Sequence, residues 1–181
     1  PRIENSNLSH RVHFEMRSSE CRRNQASLGG CIAAFNNTHI LIQQSEIEGN
    51  IADSDGGGIY GFRVNDLTVE SSTLSGNRAE RGGALCIRTP QFGETPSPVS
   101  ISRSIVNVSD CDISSNTAGT GGGLWGEDVV SLWMTDCLFE SNRAEQVGGA
   151  LYLIATQGYA SAVNVDSVER EDRKSTRLNS S

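Results

Sequence analysis

The chain has 181 residues, a formal net charge of −7, 36% apolar and 20% charged residues. This is enough material for one domain with a continuous core, and the acidic balance excludes a nucleic-acid groove, which needs a basic face. No run approaches eighteen apolar residues, so the sequence holds no helical membrane span.

In chain order, residues 1–11 are polar and read as part of a preceding turn of structure. The chain starts at Pro1, without an initiator Met or a charged-then-apolar leader, and is expected to be part of a longer protein. From Phe14 onward one pattern recurs. Asn24, Asn50, Asn77, Asn116 and Asn142 are each followed two residues later by Ala and then by a glycine pair. The pairs end at Gly30, Gly57, Gly83, Gly122 and Gly149, and the asparagines step by 26, 27, 39 and 26 residues. A fixed period of this length is the signature of a solenoid.

The register extends upstream of each asparagine. Ten residues before it stand Phe14, Ile40, Leu67, Val106 and Leu132; eight before stand Met16, Ile42, Val69, Val108 and Met134. Apolar residues two apart make a short strand with one buried face. No window sustains an apolar pattern at helical spacing, and Gly, Asn and Ser punctuate too often for helices. Each repeat has room for about three short strands. Stacked in parallel at about 4.8 Å, successive repeats bury apolar faces that none could bury alone. The expected fold is therefore all-β: a parallel β-helix of about five coils of ~26 residues.

Asparagine fits a corner of such a coil, because it tolerates left-handed backbone and its amide bonds the turn. Stacked amides also bond one another in series. The glycines fit close backbone approach or positive φ. Both sets are read as structural, since a motif present in every coil is a poor candidate for one active site.

The 39-residue step holds about thirteen extra residues. They are placed in the insert 88–98, which carries three of the four prolines and Phe92. A proline-rich segment cannot pair centrally in a sheet, so it is expected to bulge from one corner. After Val168 the repeat fails. Residues 169–181 have a basic, non-native-looking composition and are set apart as an unstructured tail, leaving 1–168 as a single β-helix domain.

Gly82-Gly83-Ala84-Leu85 and Gly148-Gly149-Ala150-Leu151, with Phe139-Glu-Ser-Asn142, resemble the paired GGA[ILV] and FxxN repeats of chlamydial polymorphic outer-membrane proteins. Similar repeats occur in right-handed β-helix proteins of the pectate-lyase-like class. The resemblance spans residues 12 to about 168. It implies that the parallel β-helix is right-handed, and that the protein is secreted or surface-displayed and adhesin-like, extracellular or at the outer membrane, although fold alone does not fix function.

Three functions remain open from the residues. In a recognition scaffold, Tyr60, Trp125 and Tyr152, which share one outward position with Cys86, form an exposed stripe that stacks on sugars or meets a surface protein. Phe92 adds an aromatic on the insert. A polysaccharide lyase or hydrolase would need converging acids; Asp110 and Asp136, six residues before adjacent asparagines, are the best pair, read chiefly as surface acids. The third option is a plain structural stalk. Asp53-Ser-Asp55-Gly56-Gly57-Gly58 has a calcium-loop character but lacks the bidentate Glu of an EF-hand, so no cofactor is assigned, and no catalytic residue either. His10, His13 and His39 fit no zinc or nucleophile pattern. The five cysteines are read as free, packed thiols, with Cys111 and Cys137 in equivalent positions of adjacent coils and so within disulfide reach.

Overall fold

A computed structural model describes residues 2–4, 12–36, 38–89, 104–129, 131–154 and 162–166. The outer part of the insert, including Phe92, and the tail after Val168 lie outside these residues. Every described element is a β-strand. The third coil is representative: strands Asp66–Glu70, Thr73–Ser75, Arg78–Arg81 and Leu85–Arg88 follow one another around a single turn. Each pairs in parallel with its equivalents one coil before and one coil after, so four parallel sheets run along the stack. In the order of these strands they are called here the first to fourth sheets. Five full coils, with one further strand at each end, make a parallel β-solenoid.

Four strands per coil replace the expected three. The stretch around each asparagine is not one strand but two, bent sharply at the residue just before the asparagine. That residue has positive φ in every coil: Arg23, Gly49, Gly76, Ser115 and Ser141. The left-handed position expected of asparagine therefore belongs to its neighbour, and the asparagine itself faces inward.

The register read from the sequence holds. Leu67 lies opposite Ile40 and Val106; Leu74 lies opposite Ile47 and Ile113; Leu85 lies opposite Ile59 and Leu124. Like stacks on like, and Ile32, Ile42, Ile47, Ile59, Leu67, Leu85 and Leu124 are fully buried in one core that runs from Met16 to Phe139. Each such side chain contributes about 1.5–3 kcal/mol by leaving water. The long step is absorbed between Arg88 and Ile105, at the corner between the fourth and first sheets.

The glycine pair does two different jobs. Gly82, with φ +63°, turns the corner in left-handed backbone. Gly83 lets neighbouring coils close up, because a Cβ there would collide with the carbonyl oxygen of Gly122 and the backbone of Thr117.

The cysteine reading needs one correction. Cys21 and Cys31 form a disulfide, with Cα atoms 6.0 Å apart, while Cys86, Cys111 and Cys137 are free and buried. Cys21 and Cys31 hold different positions in the repeat but face each other across the coil interior. In the second coil the same space is filled by Ile47 against Gly58, where a Cβ would sit 3.1 Å from the Ile47 side chain. Two cysteines fill together what a large and a minimal residue fill elsewhere.

Candidate functional site

The aromatic column exists, and it is covered rather than exposed. Tyr60, Cys86, Trp125 and Tyr152 are register partners on the fourth sheet. Tyr60 and Trp125 are only 4% and 6% exposed, Cys86 is fully buried, and Tyr152 is half-buried. Strand alternation does point them away from the main core, but the third sheet folds over that face. With Ala33 they form a second apolar cluster, closed by Leu28 from the third sheet and by Phe35 and Phe62 from the ends of fourth-sheet strands.

Charged groups seal this cluster. Asp55, 2% exposed, accepts two hydrogen bonds from Arg81, Nε to Oδ1 at 2.6 Å and a terminal nitrogen to Oδ2 at 3.0 Å. Arg88 lies 3.6 Å from the same carboxylate and donates to Glu127 at 2.8 Å. Both guanidinium carbons stand over Trp125, 5.4 and 5.8 Å from the ring centroid, a favourable cation–π arrangement. Burial pushes the Tyr60 hydroxyl up to about 12; the adjacent Cys86 and Asp55 act in the same direction and Arg88 opposes. The Cys86 thiol is pushed well up, first by burial and then by Asp55. These acids and bases neutralise one another, and the arrangement holds the sheet corner together.

The calcium reading of Asp53 and Asp55 does not fit this geometry. A bulge shifts the register of strand Ile51–Asp55, leaving Asp53 exposed while the Asp55 carboxylate is occupied by Arg81. Asp110 and Asp136 stand at exposed corners with φ of 50° and 51°. His13 and His39 are strand residues with rings stacked 4.9 Å apart, and His39 Nδ1 lies 2.6 Å from Asp66.

Asn24, Asn50, Asn77, Asn116 and Asn142 line one inner corner. In each case the backbone N–H and the side-chain Nδ2 of one asparagine donate to the Oδ1 of the next, at 2.9–3.1 Å. The second amide proton goes to a carbonyl of the preceding coil, as from Asn77 to Ile47 at 2.9 Å. Gly30, Gly57 and Gly122 repeat the close approach seen at Gly83, and Gly149 occupies the same place in the last coil.

Among the described residues the exposed aromatic lies outside the Tyr60–Trp125–Tyr152 column. Trp133, 46% exposed, stands on the outer face of the first sheet, opposite Asn107. Its signal was its position between the inward Leu132 and Met134, where alternation aims a side chain outward. The insert emerges beside the same sheet. Its neck is tied by Thr89 and Ser104, both fully buried with hydroxyls 2.5 Å apart, and Ser104 donates to the Val64 carbonyl at 2.7 Å.

Against known proteins, the model of the Chlamydia polymorphic membrane protein repeat matches residues 44–61. No curated protein and no solved structure matches the chain. The matched segment contains the corner before Asn50, the asparagine itself, the three glycines at 56–58 and Tyr60, so the family's repeat falls on the parts that build a coil. The chain is a parallel β-helix protein with chlamydial polymorphic membrane protein-like repeats.

Proposed function

We propose that the protein is a non-catalytic, adhesin-like scaffold, secreted or displayed at the cell surface or outer membrane, that recognises carbohydrate or a surface protein. The observation that carries this reading is the repeat match over residues 44–61, since that repeat is named for membrane proteins of Chlamydia. The recognition face is assigned to the outside of the first sheet, where Trp133 is exposed. An exposed indole offers a flat apolar face for a sugar ring or a partner side chain. Tyr60 and Trp125 take a packing role in this reading, because their surfaces are already covered.

The test is a glycan-array and cell-binding screen of the chain, with polysaccharide cleavage assayed in parallel. Binding without turnover that falls at least about tenfold in Trp133→Ala, the equivalent of 1.4 kcal/mol, supports the scaffold. Cleavage that survives Trp133→Ala and disappears in Asp110→Asn or Asp136→Asn replaces it with an enzyme.

A further inference from the structure

The column five residues before each asparagine reads Ser19, Ser45, Ser72, Cys111 and Cys137 down the stack. Its hydrogen-bond scheme is constant. Ser45 N–H donates to Ser72 Oγ at 3.1 Å, and Ser72 Oγ donates to its own strand at the Glu70 carbonyl, 2.7 Å away. The cysteines inherit this scheme. Ser72 N–H bonds Cys111 Sγ, and Cys111 N–H bonds Cys137 Sγ. The thiols themselves donate to the carbonyls of Ser109, at 3.0 Å, and Thr135, at 3.3 Å.

Where cysteine follows cysteine, two free buried thiols occupy equivalent places in adjacent coils. The residues on either side are in register, Ser109 with Thr135 and Asp112 with Leu138. The Cys111 and Cys137 backbones are therefore one coil apart, about 4.8 Å, inside the 4.4–6.8 Å range that a disulfide spans. Both are buried, at 3% and 1% exposure, yet each directly follows an exposed corner residue, Asp110 or Asp136. The pair thus lies just beneath a turn, where a local opening admits a small reagent.

We propose that Cys111 and Cys137 are a disulfide-forming pair that staples the fourth coil to the fifth when the chain meets a low-molecular-weight disulfide. The Cys137 thiolate attacks one sulfur of the reagent and expels the first thiolate, leaving a mixed disulfide. Cys111 gives up its proton and attacks Cys137 Sγ, expelling the second thiolate. One external disulfide is reduced to two thiols, which take up the two protons, as the two protein thiols are oxidised to one cystine. The interaction between the neighbouring thiols raises Cys111 and lowers Cys137, making Cys137 the thiolate that attacks first. The chain already carries one cystine, Cys21–Cys31, in keeping with an oxidising compartment. The inference is independent of what the scaffold binds.

The test exposes the folded chain to oxidised glutathione, then denatures it without reductant and counts thiols that react with iodoacetamide. The expected count falls from three, Cys86, Cys111 and Cys137, to Cys86 alone, with a peptide linking Cys111 to Cys137 in the digest. Cys111→Ser is the control. Serine already fills this position in three coils, so the variant is expected to keep the wild-type circular dichroism spectrum and to lose the linked peptide. Three reactive thiols after oxidation, with the Cys21–Cys31 peptide intact, overturn the proposal, as does a linkage that uses Cys86.

Discussion

A buried asparagine side chain is tolerable only when all of its polar atoms are satisfied. Asn77, fully buried, meets that demand: Oδ1 accepts from Asn50 twice, and Nδ2 donates to Asn116 and to the Ile47 carbonyl. Asn77→Ala strands the Asn50 amide and the Ile47 carbonyl, at about 1–3 kcal/mol for each orphaned group. A loss of about 3 kcal/mol is expected in urea denaturation, against under 0.5 kcal/mol for an exposed substitution such as Glu80→Ala. Tyr60 gives a second residue-scale prediction. Its folded pKa of about 12 lies above the unfolded value of 10.0, so the folded state holds the proton more tightly. The associated stability is intact below pH 10 and is lost between pH 10 and 12, at about 1.4 kcal/mol per pH unit. Tyr60→Phe removes that slope, which pH-dependent thermal melts will register. The recurrence of asparagine made its corner role legible in the sequence. Which residue takes positive φ was not, because Arg23, Ser115 and Ser141 hold that place as well as glycine, and only the backbone reveals the constraint they share.

Among the elements, the strands were legible to the extent that they alternate against the main core. Phe14 to Met16 and Ile40 to Ile42 show a period of two, and the observed pairing follows it. The three-residue strands Glu46–Glu48 and Thr73–Ser75 each offer one inward residue, too short a run for periodicity to separate them from the next strand. The fourth-sheet strands hid their second face for another reason. Alternation states that Tyr60 and Trp125 point away from Ile59 and Leu124, but it carries no information on whether another sheet lies there. Only the long-range placement of Leu28, Asp55 and Arg81 covers them. Glycine at element ends gives a sharp contrast. Gly83→Ala drives a methyl into the next coil's backbone, whereas the corresponding space at Gly76 is open, with the nearest atom 3.9 Å away. Gly76→Ala is expected to cost about 1–2 kcal/mol for its left-handed φ alone. Gly83→Ala is expected to cost more than twice that, both read from denaturation midpoints.

For the whole molecule, stability is a sum over neighbouring coils, so features outside the stack are removable. Deleting residues 91–103, the excess of this step over its neighbours, leaves Thr89, Pro90 and Ser104 to join Arg88 to Ile105, a three-residue link like the one that joins Phe62 to Asp66. Loop length costs little, and the melting temperature is expected to change by no more than about 4 °C, the equivalent of 1 kcal/mol at this size. If recognition lies on the insert, binding disappears while the melt is preserved. The stack makes its own demand on backbone dynamics. Native-state hydrogen exchange, resolved by residue, tests it most directly. Slow amides are expected to recur coil by coil, with those of Asn50, Asn77 and Asn116 in the slowest class, because each donates to the next asparagine side chain inside the core. Rapid exchange at these three amides, or protection that does not repeat from coil to coil, would contradict a stack of coils joined through that corner.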